Sequence, residues 1–191
     1  MLKAELRKKY IQKRKALSVD EALLLSEKIR ESFLNFFKPA VGEKIHIFTP
    51  IQKLKEINTQ TFIEAFLKAG IRVFVPKVVA DHLISVEIFT DTEFETSTWG
   101  ISEPVSNENS GEFHFDYVIT PLLYCDREGN RVGYGKGFYD GFFQSISATS
   151  KKIGVNYFNP EEKIDDVWEN DIPLDYLVTP TEVLSFFSGV E

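Results

Sequence analysis

Residues 126–140 read Asp-Arg-Glu-Gly-Asn-Arg-Val-Gly-Tyr-Gly-Lys-Gly-Phe-Tyr-Asp, the residue types of an anion site. Gly133, Gly135 and Gly137 alternate with other residues, so backbone amides can approach a ligand and the chain can take positive φ values. Arg131 and Lys136 add cationic donors, and the apolar run 138–146 that follows is predicted to be a helix. Bare amides at a helix N-terminus, beside positive side chains, suit phosphate. Asp140 does not suit phosphate by charge alone. A divalent cation between the two reconciles them, because Mg²⁺ is commonly held by one or two carboxylates plus substrate phosphates. The loop matches neither common nucleotide fingerprint: Gly137 stands where a Walker loop has Ser or Thr, and the glycines lie closer than in a dinucleotide site. On spacing alone a tight turn without ligand stays open.

The elements that must position this loop follow from periodicity. Residues 2–17 are predicted to be a helix with Leu2, Leu6, Tyr10 and Leu17 as its apolar stripe, and Lys3, Arg7 and Arg14 on a neighbouring face. Lys8, Lys9, Lys13 and Lys15 read as a solvated cationic face. Ser18 and Glu21 form a capping box that starts a second helix, 19–37, with Leu23, Leu24, Ile29, Phe33 and Phe37 toward the core. Residues 44–49 form a strand, Thr59 caps a helix ending near Gly70, and 71–75 form the next strand, the βαβ order of a parallel sheet. Residues 83–89 make an edge strand or hairpin arm, 91–97 a polar loop, and 106–111 a flexible connection. Strands at 117–120, 152–155 and 176–179 complete the pattern, the first feeding directly into the glycine loop. Ligands of open α/β sheets collect at the carboxyl ends of strands, so the loop is well placed.

Composition bounds the rest. With 191 residues, 43% hydrophobic and 27% charged, the chain is one ordinary globular domain spanning 1–191. A net charge of -7 argues against general nucleic-acid binding and requires a local cationic patch for any anionic ligand. Cys125 is the only cysteine, expected as a small buried residue in a reducing compartment. Three scattered histidines make no zinc site, and no stretch is long and apolar enough for a membrane span or signal core, so a cytoplasmic protein is expected.

Residues 129–140 closely resemble the Gly-Asn-Arg-Leu-Gly-x-Gly-x-Gly-Tyr-Tyr-Asp signature of the 5-formyltetrahydrofolate cyclo-ligases, with Val132 for Leu and Phe138 for Tyr. Lys3-Ala4-Glu5-Leu6-Arg7, the turn Gly100-Ile101-Ser102-Glu103-Pro104, and Asp171-Ile172-Pro173-Leu174-Asp175 are similar to other parts of that family. The resemblance implies a three-layer αβα sandwich with a mostly parallel central sheet, NagB/RpiA/CoA-transferase-like, and a monomer. It implies ATP-dependent cyclisation of 5-formyltetrahydrofolate to 5,10-methenyltetrahydrofolate, with Mg²⁺ on Asp140 and Asp171. ATP would be held by Lys3, Arg7, Arg131 and the stretch Gly133, Tyr134, Gly135, Lys136, Gly137, Phe138 and Tyr139, with Arg14 a further candidate; Lys136, Arg131 and Asp140 would serve catalysis. Glu56 would contact the folate, whose ring presents N–H donors, with Thr49, Tyr134 and Trp99 in the same pocket. Trp99 either stacks on the pterin or simply packs. A sugar-phosphate isomerase and a phosphometabolite sensor are the competing readings.

Overall fold

The structure is a computed structural model that describes residues 1–80, 82–98 and 100–187. Its centre is a seven-stranded sheet built from β1 (Lys44–Ile47), β2 (Arg72–Val79), β3 (His82–Ile88), and four later strands. Next along the chain, β4 (Phe94–Thr96) and β5 (Ser102–Pro104) form a separate ribbon, β6 is Tyr117–Pro121, and β7 (Tyr124–Cys125) pairs with β8 (Arg131–Val132). Then come β9 (Lys151–Val155), β10 (Tyr176–Val178) and β11 (Val183–Ser185), giving the sheet order β11-β10-β9-β6-β1-β2-β3. The five inner strands run parallel, and the two edge strands, β3 and β11, are antiparallel to their neighbours.

Alternation along the strands explains the layers. Ile45, Ile47, Val73 and Val75 face α2 (Val19–Phe37) and α3 (Gln60–Lys68), packing with Ile29, Phe33, Phe62 and Phe66. Phe74 and Val118 face the other way, onto Phe142 and Phe143 of α4 (Phe138–Ser145). Both sheet faces are thus covered, as a parallel sheet requires. The first helix, α1 (Lys3–Ala16), packs instead on a third cluster, where Leu6 and Tyr10 meet Tyr124, Val132 and Ile164.

Several boundaries differ from the sequence reading. Leu2, the N-cap of α1, is exposed, and so are Leu23 and Leu24, because the buried stripe of α2 passes through Ala22 and Ser26 before Ile29 and Phe33. Counting only large apolar residues therefore selected the wrong face of its first turns. Thr59 stands at the N-cap position of α3 but its side chain does not cap the helix; its hydroxyl donates to the Phe48 carbonyl at 2.6 Å. Residues 94–96, expected as loop, pair with β5, and the buried Lys77 ammonium holds that ribbon through the Pro104 and Val105 carbonyls. The edge strand β11 was not anticipated. The Ser18–Glu21 capping box is present, as is buried Cys125.

His46 carries an energetic consequence. Its ring is fully buried against Phe115 and Phe142, and neither nitrogen has a hydrogen-bond partner among the described residues. Burial pulls its pKa down to about 3. The unfolded chain binds a proton at this residue near pH 6.5 and the folded chain does not, so folding stability declines as pH falls from about 6.5 toward 3. At pH 5 this contribution is about 2 kcal/mol. His46→Phe should therefore flatten the acid limb of the stability curve, measured as denaturation midpoints between pH 7 and 5. An unchanged limb would remove His46 as its source.

Candidate active site

The chain leaves β1 toward β2 on one side of the sheet, and β6 leads to β9 and β10 on the other. The crevice beyond the carboxyl ends of β1 and β6 is therefore the switch point at which open α/β sheets bind ligands. Thr49 and Glu56 follow β1, Leu122 and the glycine loop follow β6, and Tyr157 follows β9.

The glycine loop is set by its neighbours. Asp126 organises the turn before it, accepting from the Glu128 and Asn130 amides at 2.9 Å each and from the Asn130 side chain at 3.0 Å. Gly135 and Gly137 have φ of +89° and +72°, a region that L side chains rarely adopt. Gly137 is also the N-cap of α4, which places the loop at that helix's positive end. From α1, the Arg7 Nε donates to the Gly133 carbonyl at 2.9 Å, and its guanidinium lies 3.4 Å from where a Cβ on Gly135 would sit. Lys136 is exposed at the tip of the loop.

Four charged residues that the sequence singled out form a cluster. Arg131, buried beneath the loop, donates to Asp140 at 2.6 Å and to the Ile172 carbonyl, and stacks over the Phe143 ring at 4.7 Å. Burial pulls its guanidinium below the ordinary value, and Asp140 and Asp171 oppose that shift. Lys3 pairs with Asp171, which also accepts from the Trp168 amide at 2.6 Å. Burial alone would raise the Asp171 carboxyl, but Lys3 and that amide outweigh it and hold it below the ordinary value. Asp140 thus has a cationic partner in the fold itself, which the sequence reading had not assigned to it.

Whether these residues fit a metal follows from the donor set. Among the described residues no three His, Cys, Asp or Glu side chains gather to hold an ion by themselves. In the contacts above, Asp140 and Asp171 each use a single oxygen, and both flank Arg131. Two such carboxylates fit Mg²⁺ when phosphate oxygens supply further ligands.

A second group lies on the β1 side. Glu56 is buried, and its carboxylate accepts from the Ile51 amide at 2.7 Å. Burial pushes its carboxyl up, opposed by that amide, Arg14 and Tyr134. The Tyr157 hydroxyl donates to the Glu56 carbonyl at 3.0 Å and meets Ser26 at 3.2 Å. A cavity of about 290 Å³ opens beside them, bounded by Glu56, Asn58, Tyr157, Ser26, Leu23 and Pro50. Thr49 Oγ1, Tyr139 Oη and Arg14 Nε are buried with no hydrogen-bond partner among the described residues. Buried polar groups are normally satisfied, so three orphans around one crevice mark a ligand site.

The structure therefore brings Lys3, Arg7, Arg131, Asp140 and Asp171 together around the glycine loop. Tyr134 reaches from that loop toward Glu56, whose carboxylate it faces. Tyr139 packs its ring against the core beneath α4, and its buried hydroxyl lies on the side of Glu56. Phe138 opens α4. Trp99 lies outside the described residues. The sequence reading missed Tyr157 and the cavity wall on α2. Tyr157 was findable, since it stands two residues past β9 on the same sheet edge as Glu56; Ser26 carries no sequence signal of its own.

Comparison with known proteins identifies relatives of the whole chain. The sequence matches the model of the 5-formyltetrahydrofolate cyclo-ligase family over residues 1–180. It is 34% identical to a 5-formyltetrahydrofolate cyclo-ligase of Mycoplasma pneumoniae over 93% of this chain and 98% of that protein. It is 27% identical to one from Escherichia coli, over 90% of this chain and 97% of that protein. The solution structure of Aquifex aeolicus 5,10-methenyltetrahydrofolate synthetase superposes with a TM-score of 0.83 at 31% identity, covering 100% of this chain and 96% of the other. With signature, fold and relatives in agreement, the chain belongs to the 5-formyltetrahydrofolate cyclo-ligase family.

Proposed function

We propose that this protein converts 5-formyltetrahydrofolate to 5,10-methenyltetrahydrofolate with consumption of ATP. The observation that carries this reading is that Tyr134 of a phosphate-suited loop faces the buried Glu56 carboxylate, an arrangement that suits a nucleotide beside a pterin. The isomerase and sensor readings give no role to that second, acidic pocket.

The chemistry asks for such an arrangement. A formyl amide oxygen is a poor leaving group until it is phosphorylated; N10 then attacks the activated carbon and phosphate departs. Phosphoryl transfer depends on positioning and charge neutralisation more than on a protein nucleophile. In this reading the amides of 133–137, Lys3, Arg7 and Lys136 bind the triphosphate, and Arg131 supplies positive charge from beneath. Asp140 and Asp171 would hold Mg²⁺, which supplies neutralisation of the phosphate oxygens when bound. Glu56 accepts N–H bonds from the reduced pterin, and Thr49 Oγ1 offers a further polar contact. The lone buried cysteine fits a reducing, cytoplasmic setting, and we take the working unit to be a monomer that needs no nucleic acid or membrane.

The direct test mixes protein, MgATP and 5-formyltetrahydrofolate and follows the ultraviolet absorbance of the methenyl product. No ATP-dependent rise would end the reading. Gly135→Ala adds a second test. Its Cβ would carry the positive-φ strain and crowd Arg7, whereas a Cβ on Gly137 meets nothing within 4 Å. Gly135→Ala should weaken ATP binding about tenfold or more, and Gly137→Ala should cost mainly stability, about 1–2 kcal/mol. Nucleotide titrations and thermal melts of the two variants distinguish these effects.

A further inference from the structure

Arg14 ends α1 in an unusual position for a guanidinium. It is 3% exposed, and it has no carboxylate within ion-pair distance among the described residues. Its two terminal nitrogens donate to the Leu122 carbonyl at 2.6 Å and to the Tyr134 hydroxyl at 3.0 Å, and its Nε is unpartnered. Stabilising the helix end would need only an exposed cation near its last carbonyls. Burying this charge between two strands' loops costs more than that role requires.

We propose that Arg14 is a positioning residue for the cyclisation: from the last turn of α1 it holds the Tyr134 hydroxyl of the glycine loop against the Glu56 carboxylate, setting nucleotide loop and substrate carboxylate in one arrangement. This rests on the cyclo-ligase reading of the site. Because the Tyr134 oxygen accepts from Arg14, its own proton is the donor left to face Glu56. Arg14 and Glu56 also line one narrow gap with Phe48, Ile57 and Leu122, and that gap has no space for a water molecule. Their attraction is therefore screened less than between groups at the surface.

The groups that face Glu56 are Arg14 from α1, Tyr134 from the glycine loop, Tyr139 from α4, Tyr157 after β9, and the Ile51 amide of its own loop. The three phenols are all pushed up by burial and stay neutral. Neighbouring Lys55 directs its ammonium to the Lys15 and Leu17 carbonyls. Arg14 thus brings the positive charge that opposes the effect of burial on Glu56. Removing it, or removing the phenol between them, should make Glu56 protonate at higher pH, and the substrate would then lose its acceptor sooner on acidification.

The test uses the full chain labelled at glutamate carboxyl carbons, with the Glu56 signal assigned by its loss in Glu56→Gln. In Arg14→Gln and Tyr134→Phe the Glu56 titration midpoint should move to higher pH, with a smaller move in Arg14→Lys. The acid limb of kcat/KM for 5-formyltetrahydrofolate should move with it. At the acid end the loss should be about tenfold relative to wild type, against no more than about threefold on the plateau. If Arg14→Gln does not fold, Tyr134→Phe and Arg14→Lys carry the measurement. A Glu56 midpoint that stays put in Tyr134→Phe and in every folded Arg14 variant overturns the proposal, as does a loss of activity uniform across pH. Wild-type protein that forms no methenyl product would instead overturn the cyclo-ligase reading, and the titration would still decide whether Arg14 governs Glu56.

Discussion

Asp140→Asn should lower turnover with MgATP and 5-formyltetrahydrofolate by about 10²- to 10³-fold, the range seen when one preorganised electrostatic contact to a transition state is lost. The asparagine oxygen can still accept from Arg131, and that guanidinium keeps the Ile172 carbonyl and the Phe143 ring face. What disappears is the negative charge assigned to Mg²⁺. The Asp140 side chain is 35% exposed, so losing its charge beside Arg131 is partly screened. A stability cost of about 1–2 kcal/mol follows, a fall in melting temperature of about 2–8 °C for a domain of this size. Methenyl absorbance and a thermal melt on the same preparation separate the two effects. Wild-type turnover in the variant would strip Asp140 of its metal role.

Glu56→Gln should give the complementary profile. The change is nearly isosteric, so Ile51 and Tyr157 keep their surroundings, but the acceptor-only carboxylate becomes an amide that presents N–H to an N–H-rich pterin edge. A site built to hydrogen-bond its substrate loses heavily when that pairing fails, and kcat/KM for 5-formyltetrahydrofolate should fall about 10²-fold or more. ATP affinity should stay within about twofold, since a like-sized neutral side chain leaves the loop in place. Burial raises the Glu56 carboxyl in the folded state, so ionised Glu56 weakens folding above its unfolded pKa and that penalty is absent below it. The variant should therefore melt no lower than wild type at neutral pH, while being nearly inactive. A lowered melting temperature with unchanged kcat/KM would make Glu56 a structural residue.

Much of this architecture was legible because it rests on local rules. The capping box at Ser18, the βαβ order and the glycine loop each follow from spacing, and α1, α2 and α4 lie within a residue or two of where periodicity put them. What could not be read depends on groups far apart in sequence. The pairing of β4 with β5 is secured by Lys77 from β2, and nothing within 91–97 announces it. Arg14 was legible as a cation on one face with Lys3 and Arg7 and as a further nucleotide candidate, but not its meeting with Tyr134, which spans 120 positions. Likewise, Asp140 was legible as a carboxylate beside an anion site, but not its grip on Arg131, because glycine turns in between reverse the chain. The position of Glu56 is also fixed by contacts that spacing does not show, the Ile51 amide on its carboxylate and the Tyr157 hydroxyl on its carbonyl.

The ion pair between Lys3 and Asp171 joins residues 168 positions apart. A nascent polypeptide therefore cannot form this corner of the candidate site until residue 171 has been made, although β1, β2, β6 and β9 of the sheet are made sooner. Chain order thus completes this side of the candidate site late in synthesis.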